Sequence, residues 1–204
     1  IPMLELSDIK REPAKDYNDV KSVDGIKIVH HNIFTNKIAY INMSFDTKCV
    51  PDELIPYMGL LGSTLSLMDT KNYTYPELTN EININCGGLA TGTALYSDKV
   101  DFSKNTIVYE VKSKALYEKV PFVLGMMEEI MYNTRFDDYK RLKEIIARIK
   151  SRLEASLMGQ GHSIAMLECC AQFSESAYYS DILRGYKYYE FIKKLDEEFE
   201  QNNT

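Results

Sequence analysis

The sequence predicts an α+β fold in which an antiparallel, hairpin-built sheet carries helices packed on one face. Three observations predict it. Four segments read as strands, and they come in two pairs rather than singly. Apolar residues recur at helical spacing through two segments between those pairs and several after them. The order is therefore β-β-α-α-β-β followed by helices, whereas a doubly wound parallel sheet requires strict alternation.

Residues 1–22 read as an extended leader from a preceding domain, and residues 23–204 as a single domain within a longer chain. Pro2 and Pro13 interrupt the leader, and charge alternates through Asp8, Lys10, Arg11, Glu12, Lys15 and Asp16. Residues 26–30 form a short β-rich run and 32–37 a turn. In 38–46, Ile38, Tyr40, Asn42 and Ser44 alternate with Ala39, Ile41, Met43 and Phe45, so one face is apolar. The two segments are expected to pair as a hairpin.

A helix follows, with Asp52 as its cap and Tyr57, Leu61, Leu65 and Met68 at helical spacing. Thr74 caps a second helix over 75–85, with Pro76 in the first turn and Glu77 placed for a capping box. Gly87-Gly88 ends it. The pair does not read as a phosphate loop, because it follows a helix and no Lys-Ser/Thr comes after it. Residues 89–96 and 105–112 are the second strand pair.

The remainder is helical. One helix covers 115–132, with Pro121 as a kink point. The longest covers 137–157, amphipathic through Leu142, Ile145, Ile146, Ile149 and Leu153, and Gly159-Gln160-Gly161 breaks it. A shorter helix covers 164–173. The last begins near Tyr186, with Tyr188, Phe191, Ile192, Leu195 and Phe199 on its apolar side and Asp196, Glu197, Glu198 and Glu200 as a solvated face.

Composition narrows the function. A net charge of −6 argues against a nucleic-acid surface, and no apolar run approaches the roughly 18 residues of a membrane span. Cys49, Cys86, Cys169 and Cys170 form no CxxC pattern, which fits a reducing compartment. His30 and His31 are neighbours on a strand and point to opposite faces, so they cannot share a metal. His162 could share a helix face with Met166, Cys169 and Cys170, which makes a thiol enzyme using His162 and Cys169 the last-ranked reading. Tyr178, Tyr179, Tyr186, Tyr188 and Tyr189 read as packing rather than a ligand cage.

The segment DTKNYTYPELTNEININCGGLATGTALYSD (69–98) resembles the presequence-protease branch of the insulinase–pitrilysin zinc metallopeptidases, and within it the non-catalytic third domain. VDGIKIVHHNIFTNKIAYINMSFD (23–46), VPDELIPYMGLLGSTLSLM (50–68), GQGHSIAML (159–167) and LRGYKYYEFIKKL (183–195) are similar to further family segments, in order. The resemblance implies a metallopeptidase-like domain of the mitochondrial processing peptidase type. It further implies a parent of four related domains whose two halves close around an unfolded peptide.

In such enzymes the first domain binds zinc through HxxEH and a distal Glu. Two His at i and i+4 share a helix face, and the Glu beside them takes a proton from the zinc-bound water. Matched to this sequence, HxxEH falls on Leu60-Leu61-Gly62-Ser63-Thr64. The ligand positions hold Leu60 and Thr64 and the base position Ser63, so the segment alone is expected to be inactive. The distal Glu falls near Glu154, which itself reads as a solvated residue of the long helix.

The expected function is thus a lobe that helps wall the chamber of a zinc-dependent metalloendopeptidase degrading unstructured peptides. No cofactor is expected in this segment and zinc in the parent. The expected partners are the parent's other domains and peptide substrates, not nucleic acid or membrane. The expected compartment is the cytoplasm, with an organelle matrix as alternative. The alternative function is a stand-alone peptide-binding module that uses a sheet edge, with Ala90, Thr91, Gly92, Thr93 and Ala94 as contacts. A lobe taken from its neighbours should also expose an apolar patch on the late helices or next to the leader.

Overall fold

The computed structural model describes Met3, Glu5, Asp8, Glu12 and residues 18–101 and 103–201. Most of the expected leader therefore lies outside the described residues. The chain divides into two units, Ile1–Lys37 and Ile38–Thr204.

In the first unit, β1 (Asn18–Val23) pairs antiparallel with β2 (Ile26–His31), and Val23 faces Ile26 across the turn. Asp24 (φ 50°) and Gly25 (φ 81°) are the two turn residues. Positive φ at both positions gives the twist that a two-residue hairpin needs, and Asp-Gly supplies it at low cost. This corrects two expectations. The partner of residues 26–30 is β1 rather than the segment from Ile38, and the end of the supposed leader is a strand.

The second unit holds a three-stranded antiparallel sheet, ordered β3 (Ile38–Asp46), β5 (Asn105–Leu116), β4 (Leu89–Ser97). Val111 of the central strand faces Met43 on one side and Thr91 on the other. The pleat then sends Tyr109, Val111 and Ala115 to one face, where Ile41, Met43 and Leu89 join them. Against this face lie Leu78 and Ile82 of α2 (Tyr75–Asn85) and Val123, Met126, Met127 and Ile130 of α3 (Val120–Asn133). A second apolar cluster gathers Ile145, Ile146 and Ile149 of α4 (Tyr139–Cys170) and Tyr188 and Ile192 of α6 (Tyr186–Gln201) around Leu60 and Met68. Helix α1 (Ile55–Thr64) serves both, sending Met58 to the first cluster and Leu60 to the second.

The helix ends follow local chemistry. Thr74 and Glu77 form the expected capping box. Pro121 sits in the first turn of α3 and kinks nothing, because the missing N–H is one that a helix start leaves unbonded anyway. Residues 115–116 belong to β5 rather than to that helix. Asp52 does not cap α1. It lies in a 3₁₀ turn, Asp52–Leu54, that runs straight into the helix. Helix α4 breaks where the sequence predicts: Gln160 (φ −131°, ψ 29°) leaves helical geometry and two helices meet there at a kink, the second ending at Cys170 rather than 173. Helix α5 (Glu175–Arg184) was not foreseen, and Ser174 caps it by accepting from Ala177 N. Asp196, expected in solvent, is buried and accepts from Lys150 Nζ at 2.8 Å.

Candidate functional site: helix α1, its groove and the β4 edge

Leu60 and Thr64 lie one turn apart on α1 and share a face. Leu60 packs on Ile145, Ile146 and Ile149. Thr64 is buried, and its Oγ1 donates to the carbonyls of Leu60 and Leu61, both at 3.1 Å. Ser63 Oγ donates to Gly59 O at 3.2 Å. Both hydroxyls are thus spent on the helix's own backbone. The donor set at these three positions holds no imidazole, thiolate or carboxylate and does not fit zinc. Glu154 is half-buried and accepts from Tyr189 O–H at 3.3 Å, which corrects its reading as a solvated residue.

Tyr188 packs beside Gly59, where an added Cβ would meet its ring at 3.1 Å. Burial pushes its phenol up to about 12, with the Ser63 hydroxyl acting in the opposite sense. The phenol therefore stays neutral and is no base at ordinary pH. The other candidates are not brought together. His30 Nδ1 stands 3.9 Å from Asp19 Oδ2 within the first unit. His162 and Cys169 are both exposed, and they stand seven positions apart along the helix, a rise of about 10 Å, beyond hydrogen-bond reach. Among the described residues, no group of three or more His, Cys, Asp or Glu could hold a metal ion.

What the ligand-position face of α1 does line is an open apolar groove of about 510 Å³. Leu61 and Thr64 of α1, Leu142 and Ile146 of α4 and Leu195 of α6 line it. Of the residues lining it, Leu54, Tyr57 and Phe136 are the most exposed. No residue lining it carries an ionisable acid, amine or imidazole, so it suits apolar side chains rather than acid–base chemistry.

On another face, α1 meets β4 backbone to backbone. A Cβ added to Gly62 would lie 2.7 Å from Gly92 Cα, and Thr91 Oγ1 donates to Gly62 O at 3.0 Å. Strand β4 pairs only with β5, so it is an edge strand among the described residues. Of the residues expected to contact peptide, Ala90 is exposed and Thr91, Gly92, Thr93 and Ala94 are half-buried.

One polar centre had not been singled out. Glu110, 4% exposed, lies on the face of the sheet opposite α2 and α3. Its Oε1 accepts from Asn42 Nδ2 and Tyr96 O–H, both at 2.8 Å, and from Ser44 Oγ at 3.4 Å, while its Oε2 meets Lys112 Nζ at 2.5 Å. One carboxylate thus ties all three strands. Burial alone would push the carboxyl up. The bonds from Asn42, Lys112 and Tyr96 outweigh burial and hold it below the ordinary range. The only signal in the sequence was an acidic residue in mid-strand two positions before a lysine.

The profile described as Peptidase M16 (subfamily C) associated matches residues 1–195. The chain belongs to that family. It is 36% identical over 198 residues to Protein HypA of Clostridium perfringens (strain 13 / Type A), a match covering 97% of this chain and 20% of that protein. It is 29% identical over 205 residues to presequence protease 1, chloroplastic/mitochondrial, of Arabidopsis thaliana, covering 98% of this chain and 19% of that one. The mitochondrial presequence protease of Drosophila melanogaster is 26% identical over 195 residues, covering 96% and 19%. This peptidase-associated chain thus spans about one fifth of the length of these relatives. No helix among its described residues is long and apolar enough to cross a membrane.

Proposed function

We propose that this peptidase-associated chain is a non-catalytic lobe of a longer zinc-dependent metalloendopeptidase, and that it walls part of a chamber in which unstructured peptides are degraded. The observation that carries the reading is the face of α1. Where the sequence aligns with a metal-binding helix, Leu60 is packed on α4 and the Thr64 hydroxyl is bonded to its own helix. The match to presequence proteases over one fifth of their length supports a lobe rather than a whole enzyme. Zinc and the catalytic base then belong to another domain of the parent, and the chain's partners are those domains and the peptide. The domain is of the mitochondrial processing peptidase type. The relatives' mitochondrial and chloroplast names keep an organelle matrix as the alternative to a cytoplasmic parent.

The test is metal analysis of the 204-residue chain together with hydrolysis of an unstructured fluorogenic peptide. The expected result is substoichiometric zinc and no hydrolysis from the segment, and both from the full-length parent. Stoichiometric zinc with hydrolysis in the segment overturns the reading. A second reading, peptide capture by strand addition at Ala90–Ala94, is favoured by the one-sided pairing of β4. Titration with an extended peptide should then move the amide signals of those residues, and unmoved signals would remove it.

A further inference from the structure

We infer that a small cavity at the kink of α4 and the corner from α5 into α6 binds an apolar residue bearing a free carboxylate, the C-terminal residue of a peptide. The inference rests on the lobe reading above, which brings peptides to this chain. The cavity holds about 220 Å³. That is below the roughly 300 Å³ at which pockets for drug-sized ligands begin, so its occupant is about one residue in size. Gln160, which leaves helical geometry, and Gly185 both line it. Any side chain on Gly185 would collide with Asp181 and meet Leu167 at 3.0 Å, so a glycine is what lets α5 turn so closely into α6.

The lining is amphipathic. Leu153, Leu157, Ile164 and Leu167 supply an apolar part, and Ser156, Gln160, Ser163 and Arg184 a polar one. Arg184 sets the charge of the ligand. It is exposed, it reaches Ser180 Oγ only at 3.4 Å, and no carboxylate lies within ion-pair distance of it among the described residues. Arg135 and Arg141, by contrast, are closed on Asp137 and Glu144. A guanidinium with most of its N–H donors free matches a carboxylate in charge and geometry. The side chains of Ser156, Gln160 and Ser163 make no hydrogen bond among the described residues, which leaves them for the amide of the ligand. Tyr189 also lines the cavity but spends its O–H on Glu154. Other ligands fit less well. An amine or metal cation would face Arg184 with no acid in the lining. A wholly apolar ligand would cover the hydroxyls and the amide without bonding them, which costs free energy for each. An aspartate or glutamate side chain would satisfy Arg184 and leave the apolar part unfilled. A leucine-like C-terminal residue supplies carboxylate, amide and branched side chain together, and hydrolysis of a peptide creates such an end on a product.

The test irradiates N-acetyl-photoleucine, a diazirine analogue of leucine with a free carboxylate, with the full-length polypeptide that carries this segment. Peptide mapping should place label within residues 153–167 and 184–189. N-acetyl-leucine should compete for that label about tenfold better than N-acetyl-leucinamide, which lacks the charge that Arg184 bonds. The label should fall by a similar factor in Arg184→Gln. A fatty acid carries the same apolar carboxylate, and 4-methylpentanoate, which has no amide, should compete several-fold less well than N-acetyl-leucine. Equal competition by 4-methylpentanoate overturns the assignment to a peptide end. No label in these residues, equal competition by the amide, or undiminished label in Arg184→Gln would each overturn the site. Zinc content and hydrolysis of the segment alone are read separately. A failed lobe reading therefore shows as segment activity, and a failed site assignment shows in the labelling map alone.

Discussion

Replacing Glu110 by glutamine should lower stability by about 2 kcal/mol at neutral pH. Glutamine keeps an acceptor for Asn42 and Tyr96, so those bonds weaken but survive. What is lost is the charge on them and the link to Lys112, where the amide now directs a donor at an ammonium. A hydrogen bond to a charged group is worth about 1.5–3 kcal/mol. The Lys112 side chain is 51% exposed and regains water, which places the loss in the lower half of that range. For a chain of this size about 2 kcal/mol is about 4–8 °C in Tm. Glu110→Ala removes every acceptor and should cost more than the glutamine change, about 2–3 kcal/mol, because Lys112, Asn42 and Tyr96 are all exposed enough to regain water.

The pH dependence has a definite sign. Glu110 is held below its unfolded value, so its contribution is complete above about 4.4, the unfolded carboxylate range, and is lost as pH falls through the lower folded value. Thermal melts followed by circular dichroism should show the gap between the natural chain and Glu110→Gln at full size at pH 7 and narrowing below about 4.4. An unchanged Tm at pH 7 would refute the strand-tie argument. A gap that widens on acidification would refute the electrostatic part of it.

Three further outcomes are expected. Gly62→Ala gains about 1 kcal/mol of helix propensity, but its Cβ meets the Gly92 backbone, which cannot swing aside, at an overpacking cost of about 1–3 kcal/mol. A net loss of about 1 kcal/mol, or about 2–4 °C, should follow, and a higher Tm would show that α1 moves freely over β4. Tyr188→Phe removes a buried hydroxyl that makes no hydrogen bond of good geometry, the nearby Ser63 hydroxyl being directed to Gly59 O, and should raise stability by about 1 kcal/mol in urea unfolding; a decrease would mean that Ser63 bonds the phenol instead. Leu54→Asp in the 204-residue chain should change stability by less than about 0.5 kcal/mol and reduce binding of an apolar dye, and undiminished dye binding would place the exposed apolar surface elsewhere.

The α+β class, the sheet strands and the capped helix α2 were legible because each rests on a local signal. Alternation gave β3, and Thr74 with Glu77 gave the start of α2. Strand β1 was missed because NDVKSV carries only two apolar residues, yet the Asp24-Gly25 turn that pairs it with β2 stood in the sequence. Helix α5 was missed because its polar start, Glu175-Ser176, reads as loop until the cap from Ser174 is seen. The site divided in the same way. That Leu60, Ser63 and Thr64 lack ligand chemistry could be read directly. The groove could not, because its lining comes from segments as far apart as Val50 and Phe199. The burial of Asp196 and Glu110 likewise depends on partners distant in sequence, Lys150 for one and Asn42 and Tyr96 for the other.

The two parts of helix α4 on either side of the Gln160 kink differ in cohesion. Its first half is riveted to the core by Ile145, Ile146 and Ile149, whereas Met166 and Cys169 in the second half face solvent. Between the halves, Gly159 and Gly161 have open space where a Cβ would stand, so no close approach calls for them. Each costs the helix about 1 kcal/mol against alanine, and Gln160 between them has already left helical geometry. That trio is a seam. Opening at it would release the far half without disturbing the isoleucine rivets, so amide hydrogens after Gly161 should exchange well ahead of those before Leu153.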